Sequence, residues 1–161
     1  MKTYVKNEDI DALLQKGIEG VPGIRYRELL RLTGLANGVL AYHIAALERS
    51  KTIRVERQSR ITRYYPSNIS DREARILKYV RHGTIRKIVV LLLEYECLTF
   101  NEIIERTGKA QSTVSSHLKR LREARIVSVR HGERDLYRLS EAELVGKVMS
   151  KYIGYRNIRC G

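Results

Sequence analysis

Moving residues 27–55 forward by 74 positions lays Glu28 on Glu102, Thr33 on Thr107, Gly34 on Gly108, His43 on His117, Leu47 on Leu121 and Val55 on Val129. An ordered set of identities at one offset marks an internal repeat, and each copy must then fold into the same supersecondary unit. The second copy shows what that unit is. Residues 101–107 carry apolar positions at helical spacing, Thr107-Gly108 interrupts them, Gln111 to Arg125 resumes the helical period, and Ile126 to Arg130 alternates as a strand does. Helix, tight turn, helix and strand follow in that order, twice, so the chain offers two similar surfaces to one extended partner.

Charge points to the class of that partner. Lysine and arginine number 31 against 18 aspartate and glutamate, a net charge of +13 over 161 residues. A surplus of this size favours a polyanion, nucleic acid first. Residues 1–68 carry 12 basic and 7 acidic side chains and residues 69–161 carry 19 and 11, so the excess belongs to both halves. With no Trp and one Phe, the core has to be aliphatic, and ten Tyr supply amphipathic bulk. Two cysteines, Cys97 and Cys160, form no CxxC pair and fit a reducing compartment, with Cys97 expected as a buried thiol. Residues 1–20 lack the apolar run and cleavage site of a signal peptide, and Ile88 to Leu93 is too short to span a bilayer, so a cytoplasmic protein is expected.

Along the chain, Ile10, Leu13, Leu14 and Ile18 share one helical face, and Gly17 and Gly20 are expected to end that helix before Pro22-Gly23. The spacing predicts a second helix over about Tyr26 to Leu32, closed at Gly34, and a third over about Asn37 to Arg49. Thr52 to Arg57 and Ile61 to Tyr65 read as a hairpin. Ser70 with Glu73, Thr99 with Glu102 and Ser140 with Glu143 have capping-box spacing and should each open a helix. The aliphatic helix from Thr84 to Glu96 is the expected centre of the second unit. After its hairpin, a last helix carries Leu144, Val145, Val148, Met149, Tyr152 and Ile153 on one stripe, which predicts a homodimer interface; the bland alternative is a cover for the unit's own first helix.

On the helix from Gln111, Val114, Leu118 and Leu121 must face inward, which turns Ser112, Ser116, Lys119 and Arg120 outward, with Thr113 and Ser115 at the margins. Short hydroxyls can bond base edges or phosphate oxygens, a helix N-terminus attracts phosphate, and the cations neutralise the backbone. The matching helix of the first unit buries Leu40, Ile44 and Leu47 but turns out Gly38, Ala41, Tyr42, Ala45 and Ala46. That face suits base reading, with Asn37, Tyr42 and His43 as contacts, and a close protein contact equally well. Arg57, Arg60 and Arg63 in the first hairpin, and Arg130 and Arg134 in the second, where Gly132 suits the tight turn, are placed to grip phosphate or enter a minor groove. His43, His82, His117 and His131 form no metal-ligand cluster, adjacent Ser116 and His117 cannot face each other as a catalytic pair, and no phosphate loop is present. Neither a metal, a cofactor nor an enzymatic activity is expected.

The stretch from Tyr26 to Glu48 and the run Arg63-Tyr-Tyr-Pro66 resemble the winged helix-turn-helix regulators common in archaea, and Thr113-Val-Ser-Ser-His-Leu-Lys-Arg-Leu121 is similar to the ArsR and MarR-like pattern. Together these cover about residues 8 to 140. The resemblance implies a mainly α fold with small β-hairpin wings: two tandem winged helix-turn-helix domains, 1–68 and 84–140, joined by a linker helix over 69–83 and followed by a C-terminal helix and tail, 141–161. It implies a transcription regulator acting on double-stranded DNA. The alternative is an interaction module in which one winged unit docks on RNA polymerase or a basal transcription factor. Structured RNA is disfavoured, because the narrow groove of A-form helices does not admit a reading helix. Metal sensors of the family place a cysteine pair on a DNA-proximal helix, which this chain lacks. The glycine usual before the wing is also replaced, by Lys51 or Thr52 in the first unit and by Arg125 in the second.

Overall fold

Gly34 and Gly108 hold the left-handed conformation, with φ of 67° and 64°, and each donates its amide to the carbonyl four residues back, Leu30 or Ile104. Those two helix stops set the scaffold of both repeats. In the computed structural model, which describes residues 7–156, the chain divides into two compact units between Ala74 and Arg75.

The first unit runs α1 (Asn7–Gly20), β1 (Ile24–Arg25), α2 (Tyr26–Thr33), α3 (Asn37–Arg49), β2 (Ile53–Gln58) and β3 (Ile61–Pro66). Ile10, Leu14 and Ile18 of α1, Leu29 of α2, and Leu40, Ile44 and Leu47 of α3 close one core with Ile24, Ile53 and Tyr64 of the sheet. Gly17 lies inside α1 instead of ending it. A Cβ there would sit 3.3 Å from Leu29 Cδ1 and from Leu32 Cδ2, so the glycine's bareness lets α2 lean on α1. The strands form an antiparallel sheet in the order β1-β3-β2. Gly23, at φ 80°, approaches the Tyr65 ring to within 3.0 Å of where its Cβ would be and donates to the Tyr64 carbonyl at 2.7 Å. That bond steers the chain into β1, a two-residue strand too short to be read from periodicity.

Helix α4 (Asp71–Val80) opens on the expected box: Glu73 accepts from the Ser70 amide at 2.8 Å and donates its own amide to Ser70 Oγ at 3.2 Å. The division between units falls within this helix. The second unit then runs α5 (Gly83–Tyr95), β4 (Cys97–Thr99), α6 (Phe100–Thr107), α7 (Gln111–Glu123), β5 (Val127–Arg130), β6 (Leu136–Leu139) and α8 (Ala142–Val148), with the last helical turn widened to a π-helix over Met149–Ile153. Its sheet repeats the first in the order β4-β6-β5, so each wing is three-stranded. Ile85, Ile88, Val89 and Leu92 of α5 are buried, as the aliphatic run requires.

Several expectations are corrected here. Cys97 is exposed, because it opens the short strand β4 on its outward side; Cys160 lies outside the described residues. Ser140 caps nothing: its amide donates to the Ile126 carbonyl at 2.9 Å, which ties it to the chain leading into β5, and α8 starts one residue late behind Glu141 with no side-chain cap. Gly132 does not use its conformational freedom, having an ordinary backbone in the wing loop. Val145, Val148 and Met149 are buried within their own unit, which leaves only Leu144, Tyr152 and Ile153 of the C-terminal stripe half-exposed. Burial inside the protomer withdraws the first three from any interface between copies.

The repeat also exposes an asymmetry at the N-cap of the second helix. Thr99 makes the full box, accepting from the Glu102 amide at 3.3 Å while its own amide donates to Glu102 Oε2 at 2.8 Å. Its counterpart Arg25 makes only half, donating its amide to Glu28 Oε2 at 2.8 Å, because an arginine side chain has no acceptor. Thr99→Ala should therefore destabilise the second unit by about 1 kcal/mol, and Arg25→Thr, at an extended backbone that suits an N-cap, should stabilise the first by up to about 1 kcal/mol. Urea unfolding of the two variants checks this, with the opposite signs as the diagnostic result.

Candidate nucleic-acid interface

Helix α7 presents the arrangement that its seam dictates. Val114, Leu118 and Leu121 are buried, while Ser112, Ser115, Ser116, Lys119 and Arg120 are exposed and Thr113 is half-buried. The N-cap position is Ala110, and among the described residues no side chain caps the helix, so its first-turn amides keep their capacity for an anion. The Arg120 guanidinium lies 5.8 Å from the centre of the Tyr79 ring, which limits its sweep without burying it. Arg130 at the end of β5 and Arg134 in the wing loop are exposed. Beside them His131 Nδ1 meets Asp135 at 2.9 Å across the loop. Hydroxyls at one end of the helix, cations along it and two arginines on the wing thus belong to one unit.

The first unit differs from its expected contacts. His43 is 4% exposed, and its Nδ1 meets Asp11 Oδ1 of α1 at 2.7 Å, so it fastens α3 to α1 and is withdrawn from DNA. Arg63 is 9% exposed and donates to the Gly23 carbonyl at 3.1 Å, bracing the bend before β1. Period-two alternation does not report this, because Arg63, Tyr64 and Tyr65 are buried in succession on β3, and both faces of the strand are covered there. Arg57 is exposed but held bidentately by Glu48 at 2.6 and 2.7 Å. Arg57's two hydrogen bonds keep the Glu48 carboxyl below its ordinary range, and the same bonds raise the guanidinium. Asn37 accepts the Tyr26 hydroxyl on both its carbonyl and its Oδ1. Tyr42, 63% exposed, and Arg60 at the hairpin turn remain as outward groups. Leu32 on α2 and Val39 on α3, the helix that also carries Asn37 and Tyr42, are exposed, so this surface is more apolar than that of the second unit.

Where the wing glycine was missing, the structure takes the left-handed conformation regardless. Lys51 and Arg125 both have φ 57°. Lys51 donates to the Glu48 carbonyl and Thr52 to that of Leu47, each at 3.0 Å; Arg125 donates to Arg122 and Ile126 to Leu121, each at 2.9 Å. These are complete Schellman closures of α3 and α7. A side chain in that conformation costs about 1–2 kcal/mol relative to glycine's freedom.

His117 is buried on α7 with its Nδ1 lacking a hydrogen-bond partner, and its ring lies 4.7 Å from that of His82. The position matching Asp11 in the second unit is Ile85, so the acid that serves His43 has no equivalent there. Among the described residues no three His, Cys, Asp or Glu side chains assemble as a metal site would need. No described helix is long and apolar enough to cross a membrane.

With this geometry the protein is a tandem winged helix-turn-helix protein, the architecture of DNA-binding regulators. Residues 82–129 match the family described as bacterial regulatory protein, arsR family, and residues 8–77 match a family described as an N-terminal HTH domain. The chain belongs to the winged helix-turn-helix regulators, an arsR-type unit preceded by a second helix-turn-helix domain. Similar solved structures include the transcriptional repressor BigR from Xylella fastidiosa, at 30% identity over 52% of this chain and 86% of that one, with a TM-score of 0.45. Reduced HlyU from Vibrio cholerae follows at 25% identity over 53% and 90%, with a TM-score of 0.46. The homodimeric winged helix-turn-helix DNA-binding domain of a Mycobacterium bovis protein has 26% identity over 48% and 72%, with a TM-score of 0.42. No curated protein matches the chain.

Burial first, then the neighbouring His82 and Arg120, holds the His117 imidazole below its ordinary value of 6.5. Between its folded and unfolded values the unfolded chain binds the proton that the folded unit refuses, so stability falls as pH drops below about 6.5 and is recovered above it. The melting temperature of the second unit should decline from about pH 6.5 downward, and His117→Leu should flatten that decline. Parallel pH profiles for wild type and variant would remove His117 as the cause.

Proposed function

We propose that the protein is a sequence-specific double-stranded DNA-binding transcription regulator in which α7 reads base edges and both wings hold the phosphate backbone. The observation that carries this reading is the outward row Ser112, Ser116, Lys119 and Arg120 on an uncapped helix, flanked by Arg130 and Arg134. Serine hydroxyls and an arginine fork can discriminate bases in a major groove, whereas lysine and the wing arginines neutralise phosphates and carry no sequence information. The first unit contributes backbone grip through Arg60 more than reading, since Arg57, His43, Arg63 and Asn37 are engaged within the protein. Two copies pair through Leu144, Tyr152 and Ile153 of the C-terminal helix to double these contacts on a two-fold operator.

A second reading has its own observation. Leu32, Val39 and Tyr42 are exposed on α2 and α3 of the first unit, which suits docking on a basal transcription factor or RNA polymerase while the second unit alone holds DNA.

Ser116→Ala and Arg120→Ala should each reduce discrimination between a site selected from a random duplex pool and random duplex by about 1–3 kcal/mol per lost base contact, with the fold intact. Competition binding measures this, and wild-type discrimination in both variants contradicts the assignment. Arg60→Ala and Arg134→Ala should weaken binding to every duplex alike and flatten the plot of log affinity against log salt by about one ion each. If Arg134→Ala flattens it and Arg60→Ala does not, the docking reading of the first unit is preferred. Ile153→Glu should convert a dimer into a folded monomer in light scattering; a monomeric wild type at micromolar concentration rules the pairing out.

A further inference from the structure

Three other helix ends close in the left-handed conformation on glycine, Gly34 after α2, Gly108 after α6 and Gly154 after the last turn, while α5 ends at Glu96 with φ 62° but ψ −48°, outside that conformation. Only the two reading helices close on a cation. Lys51 and Arg125 occupy the same position of the repeat, have the same φ of 57° and make the same pair of amide bonds, so the strained conformation is built in twice. Both side chains are exposed, and neither pairs with an acidic group among the described residues.

The structural explanation for a cation here is the negative end of the helix dipole. It does not account for the position. The last turn of α3 already carries Arg49 and that of α7 carries Arg120 and Arg122, and each could be kept beside a glycine that closes the helix without strain. Retaining a long basic side chain at a place where the backbone prefers glycine indicates that the side chain is used by something outside the unit. Both residues stand at the hinge between reading helix and wing, the two elements that meet DNA in the function proposed above, and they are followed within two residues by the wing strands beginning at Ile53 and Val127.

We infer that Lys51 and Arg125 are a matched pair of phosphate clamps, one per unit, that bind the DNA backbone at the junction of reading helix and wing. The inference rests on the DNA-binding reading. It adds two contacts that carry no sequence information, and it gives the first unit a second phosphate ligand beside Arg60. A cation fixed at the helix end by the Schellman closure is set in place relative to the reading row, so the pair would hold each unit at one depth and register on the duplex.

The test is the salt dependence of binding to a random-sequence duplex by the full chain, for wild type, Lys51→Gly, Arg125→Gly and the double variant, with thermal melting alongside. Glycine relieves the strain at φ 57°, so the variants should melt no lower than wild type. Each should bind every duplex about eight-fold more weakly at 0.1 M salt and lose about 0.9 from the slope of log affinity against log salt, the contribution of one phosphate contact. Lys51→Asn and Arg125→Asn, which tolerate the left-handed conformation, should behave in the same way. Wild-type affinity and slope in the variants, with lowered melting, would show that the cations serve the helix dipole alone and overturn the inference. A change confined to Arg125→Gly overturns the Lys51 half. If wild type binds no duplex at all, the DNA-binding reading fails and the clamp falls with it; if wild type binds and the variants match it, the clamp alone fails.

Discussion

Burial of one aliphatic seam on each reading helix governs the rest of the molecule. Leu40, Ile44 and Leu47 in the first unit, and Val114, Leu118 and Leu121 in the second, lie at helical spacing and are removed from water by the helices in front and the sheet behind. Burying such side chains contributes roughly 1.5–3 kcal/mol apiece, far more than any surface ion pair here can supply. Because a helix turns 100° per residue, fixing the seam fixes the outward face as well. Ser112, Ser116, Lys119 and Arg120 are displayed because the opposite side cannot be.

The same scaffold carries two different surfaces. In the first unit Asp11 engages His43, and Glu48 engages Arg57, so the acids of the fold neutralise its own basic groups near the reading helix. In the second unit the matching positions are Ile85 and His117, and Arg122 and His131, so the two acids are gone and the basic groups remain. With Ile85 in the place of Asp11 the buried His117 imidazole has no anion beside it, and burial, with His82 and Arg120 nearby, lowers its affinity for a proton. Removing Glu48's equivalent adds positive charge where a wing meets its helix. The tandem repeat thus keeps its core while exchanging these polar partners, so the two units present surfaces of different charge.

Tight closure of the reading helices is the other common device. The Schellman bonds at Lys51 and Arg125 turn the chain from helix into wing within two residues, which couples the position of the wing to that of the helix face. Gly34 and Gly108 do the same between the two helices of each motif. Tight backbone closures before and after α3 and α7 thus connect each helix to its neighbouring elements through very short turns.

The sequence by itself determined the repeat, the order of helices, the two wing hairpins and the outward row of α7, because each of these follows from local periodicity, from glycine at a helix stop or from capping at i, i+3. It also marked the absent wing glycines, although not that a lysine and an arginine would take the left-handed conformation in their place. Tertiary structure decided what periodicity leaves open. Asp11 is 32 residues from His43 and Gly23 is 40 from Arg63, so the contacts that withdraw His43 and Arg63 from the surface arise only once α1 and the bend before β1 are packed. The brief strands β1 and β4, of two and three residues, exist because a neighbouring strand offers them partners. Likewise Val145, Val148 and Met149 form a stripe that reads as an interface in one dimension and is interior in three, since a helix pattern records that a face is apolar but not which surface covers it.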